Sequence, residues 1–452
     1  MTSEALTRAG CRAYLRDLQT FGIKLGLEPM RIVLDSFGNP HHAVPAVHVA
    51  GTNGKGSVCA MLAEILGGRG FKVGLYTSPH LVRVEERIRV GGRMIQERVF
   101  CRLAGTVKRR IERLLASGEL EAHPTFFEVL TLIAFLYFRE RGVDISILEV
   151  GMGGRFDATN VVTPLVSVIT SVSRDHQEHL GSTLTAIAFE KAGIIKPGVP
   201  VVCGVTDVEP QAVIAQTARD HGCRLIQLGR DFAFEYRAKS AVAEFDFRYL
   251  VPAQEFHLSS LMLAMPGRHQ AANAAIALAT ISELRHQGWC ISNDAIRSGL
   301  SRAALPGRIE ITSTDPTIVL DTAHNPASAR ALVETLDELP RSRRTLILSI
   351  SHDKDVPAVV RELATHFDRI VVTQYQENPR AVPAEELLKT VAEAVGRRPI
   401  DVVLRPTPQE AWQFAIDSAA PGECICIAGS FYLAAEMRPL IQTAVASEPL
   451  AR

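Results

Sequence analysis

The 452-residue sequence has no excess charge of either sign: 49 Lys and Arg stand against 49 Asp and Glu. Without a global field to draw the chain to nucleic acid or to an anionic membrane, any anion site has to be local. Nor is there a C-x-x-C pair. The eight cysteines (11, 59, 101, 203, 223, 290, 424, 426) are scattered without metal-finger spacing, which argues against a disulfide scaffold or a structural zinc site. The first residues lack the basic and then apolar stretch of a secretory signal. The densest apolar run, Val129 to Phe138, is too short for a bilayer span of ~20 residues. These absences predict a cytoplasmic protein with reduced thiols and neither nucleic acid nor membrane as a partner. No solenoid repeat or low-complexity tract appears.

What is present is a globular composition, 47% apolar and 22% charged, in a chain about three times the length of a typical domain. Short β-branched runs alternate with longer helical patterns, the way a parallel sheet with crossover helices is written. Strands are expected at Ala46–Ala50, Lys72–Tyr76, Asp144–Val150, Leu165–Thr170 and Val199–Cys203. Helices are expected from Val58 to Leu66, Phe126 to Phe138 and Ala271 to Leu284. A Pro-Gly turn within Ala304–Arg308 breaks the pattern. After it strands recur at Thr317–Leu320, Thr345–Ser349, Arg369–Thr373, Asp401–Leu404 and Cys424–Ala428. The expectation is an α/β protein with a first domain over 1–305 and a smaller second domain over 306–452.

Between the first strand and its helix lies Gly51-Thr-Asn-Gly-Lys-Gly-Ser57. Glycine-rich backbone in a strand–turn–helix setting wraps N–H groups around a triphosphate. Lys55 would neutralise the β and γ phosphates, and the Ser57 hydroxyl would ligate Mg²⁺. Glu149 closes a hydrophobic strand before Gly151-Met-Gly-Gly154, so its carboxylate emerges at the carboxyl edge of the sheet, either to bind metal or to form a surface ion pair. His176, after the strand at 165–170, reads either as a metal or phosphate group or as a satisfied polar histidine. Lys191, by spacing alone, reads as a helix-surface lysine. Asp321 and His324 in Asp321-Thr-Ala-His-Asn-Pro326 would either reach a nucleotide or cap the helix that Asn325-Pro326 opens. The basic clusters Lys108–Arg110 and Arg341–Arg344 read as solvated faces.

Taken in order, His48–Ser57, Tyr76-Thr-Ser-Pro-His-Leu81, Ile147–Asn160, Asp175-His176, Glu190-Lys-Ala-Gly193, Leu305-Pro-Gly-Arg308 and Asp321–Pro326 resemble the folylpolyglutamate synthase/dihydrofolate synthase family of the Mur-ligase superfamily. The resemblance runs from about residue 20 to Phe431. It implies an N-terminal P-loop ATPase domain with a mostly parallel sheet, a smaller C-terminal Rossmann-like domain, and an active site between them. It implies ATP and Mg²⁺ at two sites. Gly51, Thr52, Asn53, Gly54, Lys55, Gly56 and Ser57 would hold the phosphates, with Asn273, Arg308, Asp321 and His324 as further nucleotide positions. Ser57, Ser78, Glu149, His176 and Lys191 would serve the metals. Lys191 matches a lysine that the superfamily often carries as a carbamate, against its plain reading as a surface residue. With Lys55 and His176 it would be catalytic.

Thr77 to Arg87 matches a mobile loop over the pterin, and its Pro79 and charged stretch Arg83–Arg87 suggest a solvent-facing segment. His352-Asp-Lys-Asp355 also resembles a family segment. Arg174 stands where a smaller or apolar residue is expected and would meet a substrate carboxylate or phosphate. The implied activity adds L-glutamate to a folate or to dihydropteroate through an acyl phosphate, in a monomer. The alternatives are a polyglutamate synthase alone, another Mur-type amide ligase, or a P-loop module without ligase activity.

Overall fold

A computed structural model describes residues 6–19, 22, 26–239, 242–340 and 342–447. Its first sheet contains β1 (Ala46–Ala50), β2 (Val73–Tyr76), β3 (Ile88–Val90), β4 (Arg93–Met94), β5 (Ile145–Glu149), β6 (Val166–Ile169), β7 (Val201–Cys203) and β8 (Leu225–Gln227). Their order is β4-β3-β2-β5-β1-β6-β7-β8, parallel except where β3 and β4 turn back at the edge. The strands read as unbroken apolar runs because helices cover both faces; β1 and β5 are buried at every position. The chain leaves β1 for β2 on one side and later returns from β5 to β6 on the other. The carboxyl end of β1 is therefore a topological switch point, where doubly wound sheets hold ligands.

The helix Lys55–Gly68 that follows β1 is apolar on nearly every side, since it is enclosed between this sheet and the helix Asn293–Arg302. On the same face the helix Arg268–His286 buries an alanine-rich surface, which allows close helix packing. The opposite face is covered by the helix Phe126–Arg141. Its start is fixed by a capping box between Thr125 and Glu128, and its end by Gly142 at φ 57°.

Three antiparallel strands, β9 (Phe232–Lys239), β10 (Val242–Tyr249) and β11 (Phe256–Leu263), form a separate sheet whose Phe245, Phe247 and Tyr249 pack into the core under the helix Arg268–His286. After the Pro-Gly turn come β12 (Glu310–Thr314), β13 (Thr317–Leu320), β14 (Arg344–Leu348), β15 (Arg369–Val372), β16 (Asp401–Leu404) and β17 (Cys424–Ala428). They are ordered β12-β13-β17-β14-β15-β16, with β12 alone antiparallel. This is a second α/β domain with apolar clusters on both faces.

Two expectations about the surface are corrected. Arg344 is buried on β14, donating to Asp337 and to the Leu336 carbonyl, because the planar guanidinium finds acceptors at the end of a helix; Arg341 lies outside the described residues. Lys108–Arg110 is half-buried. Lys108 and Arg110 lie over the rings of Tyr14 and Phe37, so their stems cover aromatic surface as amphipathic side chains do. The eight cysteines are free, and among the described residues no helix is long and apolar enough to cross a membrane.

Candidate active site

The carboxyl ends of β1, β5 and β6 face those of β13, β14 and β17 across a cavity of about 1350 Å³. Gly51 to Ser57, Ser78, Glu149, His176, Lys191, Asn273, Arg308, Asp321 and His324 all line it. Residues spread over 274 positions of chain (from Gly51 to His324) thus line one cavity.

The Gly51–Ser57 loop is held from behind by the strand-end residues of β6. Thr52 N donates to the Ser171 carbonyl (2.8 Å), Asn53 N to Ser171 Oγ (2.9 Å), and Thr170 Oγ1 to the Asn53 carbonyl (2.6 Å). This close approach leaves no room for a side chain at two of the loop's glycines. A Cβ on Gly51 would lie 1.9 Å from Thr170 Oγ1, and one on Gly54 would lie 2.3 Å from Asn273 Oδ1; both glycines also have positive φ. Lys55 Nζ folds over the loop onto the carbonyls of Gly51 and Thr52, at 3.1 and 3.2 Å. Ser57 is buried in the first turn of the helix.

Glu149 is 4% exposed and accepts from Ser78 N at 3.1 Å. Burial pushes its carboxyl above the usual range, opposed by the charge of Lys55 and the Ser78 bond. Among the described residues no basic side chain pairs with it within 4 Å. A buried carboxylate with cations nearby but none in contact, beside a hydroxyl and a phosphate-type loop, suits a hard divalent ion that completes its shell with phosphate and water. The remaining candidates differ in kind: among the described residues no three His, Cys, Asp or Glu side chains are grouped closely enough to hold a metal.

Lys191 is 3% exposed, which corrects its plain reading as a surface lysine. Burial, then the charge of Lys55, brings it down to about 7, so its neutral amine is well populated near neutral pH. His176 sits at φ 50°, and burial brings it down to about 4 against the pull of Asp175. Both observations fit a crowded electropositive pocket.

Asp321 and His324 shape the second-domain wall. Asp321 accepts from Ile309 N (2.7 Å) and Ala323 N (2.6 Å), joining the interdomain connection to the end of β13. His324 Nδ1 donates to the Thr322 carbonyl (2.8 Å), which turns Nε2 toward Asp175 at 3.4 Å. Asn325, not these two residues, caps the helix Pro326–Glu338. Arg308 is bonded to Thr322 and lies over the Phe431 ring.

Several residues acquire a place only in three dimensions. Asp175 bonds Lys354, His324 and Asn325 across the cleft, and Asn325 exchanges amide hydrogen bonds with Asn53 at 3.0 and 3.2 Å. Asp157 holds the turn after Glu149 by accepting from Gly151 N and Met152 N. Its strand-end neighbourhood is the only sequence signal for this. In the His352–Asp355 segment, Asp353 and Lys354 reach the cavity while Asp355 caps the next helix.

Two expectations fail. Arg174 is exposed and does not line the cavity, because the chain turns its neighbours Ser173 and Asp175 inward instead. The Thr77–Arg87 segment is not solvent-facing throughout. It forms a 3₁₀ turn at Val84–Arg87 with Glu85 and Arg87 buried, and Leu81 packs into an apolar cluster of the second domain.

Comparison with known proteins gives this geometry a lineage. Residues 49–281 match the Mur ligase middle domain, and residues 307–431 the Mur ligase glutamate ligase domain. The folylpolyglutamate synthase of Lacticaseibacillus casei is 37% identical over 407 residues, 90% of this chain and 92% of that protein. Escherichia coli FolC, solved in complex with DHPP and ADP, superposes with a TM-score of 0.86 at 32% identity, covering 98% of this chain and 100% of that one. The bifunctional folylpolyglutamate synthase/dihydrofolate synthase of Yersinia pestis, solved with AMPPNP and a Mn ion, gives 0.84 at 31%, covering 97% and 99%. The chain belongs to the folylpolyglutamate synthase/dihydrofolate synthase family of ATP-dependent glutamate ligases, built on the Mur ligase scaffold.

Proposed function

We propose that this chain is bifunctional, adding L-glutamate to dihydropteroate and to a folate at the single cavity between its two domains, with the domain boundary at 305/306. The observation that carries the reading is the convergence of the Gly51–Ser57 loop, the unpaired buried Glu149, Asp321 and His324 on one cavity. A phosphate switch has no use for the last two of these.

A carboxylate does not acylate an amine at neutral pH, because oxide is a poor leaving group. In the proposed mechanism an oxygen of the acceptor carboxylate bonds to the γ-phosphorus of ATP as the bond to ADP breaks, giving an acyl phosphate. Lys55 exchanges its loop carbonyls for phosphate oxygens and offsets their charge. The Ser57 hydroxyl and Glu149 carboxylate would hold Mg²⁺, which would supply further charge neutralisation on the phosphates. The amine of glutamate then bonds to the acyl carbon, loses a proton and expels phosphate. Helix Pro326–Glu338 and the loop after β13 close the far side and exclude water, so that the intermediate meets the amine before it hydrolyses.

Lys191 is proposed to act as a carbamate, with Ser78 and His176, at a second metal position. Its neutral amine bonds to the carbon of CO₂ and loses a proton, which replaces a cation by an anion where burial disfavours the ammonium. Asn273, Arg308, Asp321 and His324 are proposed to frame the nucleotide. Both halves of the cavity come from one chain, which supports action as a monomer, and eight free cysteines support the cytoplasm.

The test supplies ATP, Mg²⁺ and glutamate with each acceptor separately and follows ADP and product mass. Amide formation on both is the expected result. Turnover with the folate alone leaves a polyglutamate synthase, and nucleotide turnover indifferent to glutamate removes the ligase assignment.

A further inference from the structure

The helix Pro326–Glu338 presents Ser328, Ala331 and Leu332 to the cavity. Steps of three and four residues carry that stripe on to Thr335 and Glu338, away from the chemistry. This remote end faces the first domain. A Cβ on Gly267 would fall 2.3 Å from Thr335 Oγ1, so bare backbone at the start of the helix Arg268–His286 meets the stripe directly. Beyond it, the Tyr236 hydroxyl on β9 donates to the Glu338 carboxylate. Partial burial and the Glu338 charge hold the phenol above its ordinary range, so it remains a donor at any physiological pH.

The near end of the same helix is tied to the first domain as well, through its cap Asn325 to Asn53 and Asp175. A 13-residue helix is a rigid rod of about 20 Å, so fixing one end constrains the direction of the other. The proposed mechanism uses the near contacts and leaves the far one without a role.

We infer that Tyr236 is a positioning residue of the ligase: by binding Glu338 it pins the far end of the helix Pro326–Glu338 to the first domain, and through that helix keeps Asn325 in register with the phosphate loop. The inference rests on the two-domain ligase reading given above. It gives the small antiparallel sheet, none of whose described residues lines the cavity, a part in closing it.

Tyr236→Phe and Glu338→Leu, singly and together, test it. With Mg²⁺ and a non-hydrolysable ATP analogue bound, small-angle scattering should show each variant more extended than the unmodified protein. kcat/KM for glutamate should fall about tenfold, the scale of one hydrogen bond to a charged group, with an unchanged thermal midpoint. The double variant should lose no more than either single one, because both remove the same bond. Scattering and kcat/KM unchanged in Tyr236→Phe, or additive losses in the double variant, would overturn the inference. Should Tyr236→Phe lower the thermal midpoint, Glu338→Leu, at the partly exposed helix end, decides alone. The scattering comparison needs no turnover: an unmodified chain that forms no amide sinks the functional reading, while scattering still decides the role of Tyr236.

Discussion

Lys354 of the second domain donates a 2.6 Å hydrogen bond to Asp175 of the first, and their side chains are only 10% and 6% exposed. Burial alone would raise the Asp175 carboxyl, but His324, His176 and Lys354 together hold it well below the usual range, so it is an anion whenever the protein is folded near neutrality. A buried ion pair across a domain boundary contributes mainly when both domains are in place; opening the cleft returns both charges to water.

Lys354→Met should therefore act on closure more than on folding. Breaking a buried pair on one side costs about 3–5 kcal/mol. The low end is expected here, since Asp175 keeps Asn325 and His324. About 3 kcal/mol lost from the closed state is on the order of 100-fold in kcat/KM for glutamate. A cycle with Asp175→Asn should show strong coupling, and independent effects of the two changes would mean that the pair does not set closure.

Lys55→Ala should leave the fold intact, because the ammonium contacts only carbonyls of its own loop. Loss of acyl-phosphate formation by at least ~100-fold is expected from the charge stabilisation removed. Near-normal ADP release in the presence of all substrates would contradict the phosphate-loop assignment.

Glu149→Gln separates stability from metal binding. Removing a buried charge that no basic side chain pairs should leave the thermal midpoint equal or higher. The Mg²⁺ concentration for half-maximal activity should rise at least ~10-fold, the low end even for groups behind a ligand. An unchanged metal titration would make this carboxylate structural.

Lys191 should carry one added carbon dioxide in the active protein, detectable by mass under non-denaturing, bicarbonate-containing conditions or as carbamate density in a nucleotide complex. Lys191→Ala should be inactive, with partial rescue by short carboxylic acids that supply the missing anion. An unmodified lysine together with full activity of the alanine variant would exclude the carbamate.

Much of the fold was legible in local pattern. Buried parallel strands and their crossover helices write themselves as apolar runs of different length, and β1, β5, β13 and β17 lie within a residue of their expected bounds. The antiparallel strands β9–β11 went unread although Phe245, Phe247 and Tyr249 alternate with polar residues, as a half-buried strand should. Their hairpin lies in a stretch whose neighbours follow another period, and pairing between strands, not the pattern within one, fixes such a sheet.

For the site, the chain by itself determined which chemistries are available: a glycine loop that only glycine can form, an acid at a strand end, a helix cap at Asn325. Tertiary structure alone decided their charge states and company. Lys191 reads as a surface lysine from its neighbours in sequence, yet it is buried, since exposure depends on what other segments cover it. Arg174 points away while Asp175 points in, and Asp175 meets Lys354 across 179 residues of chain. Burial, desolvation and interdomain pairing are sums over atoms distant in sequence, so no local pattern encodes them, and they are what turn these side chains into a site.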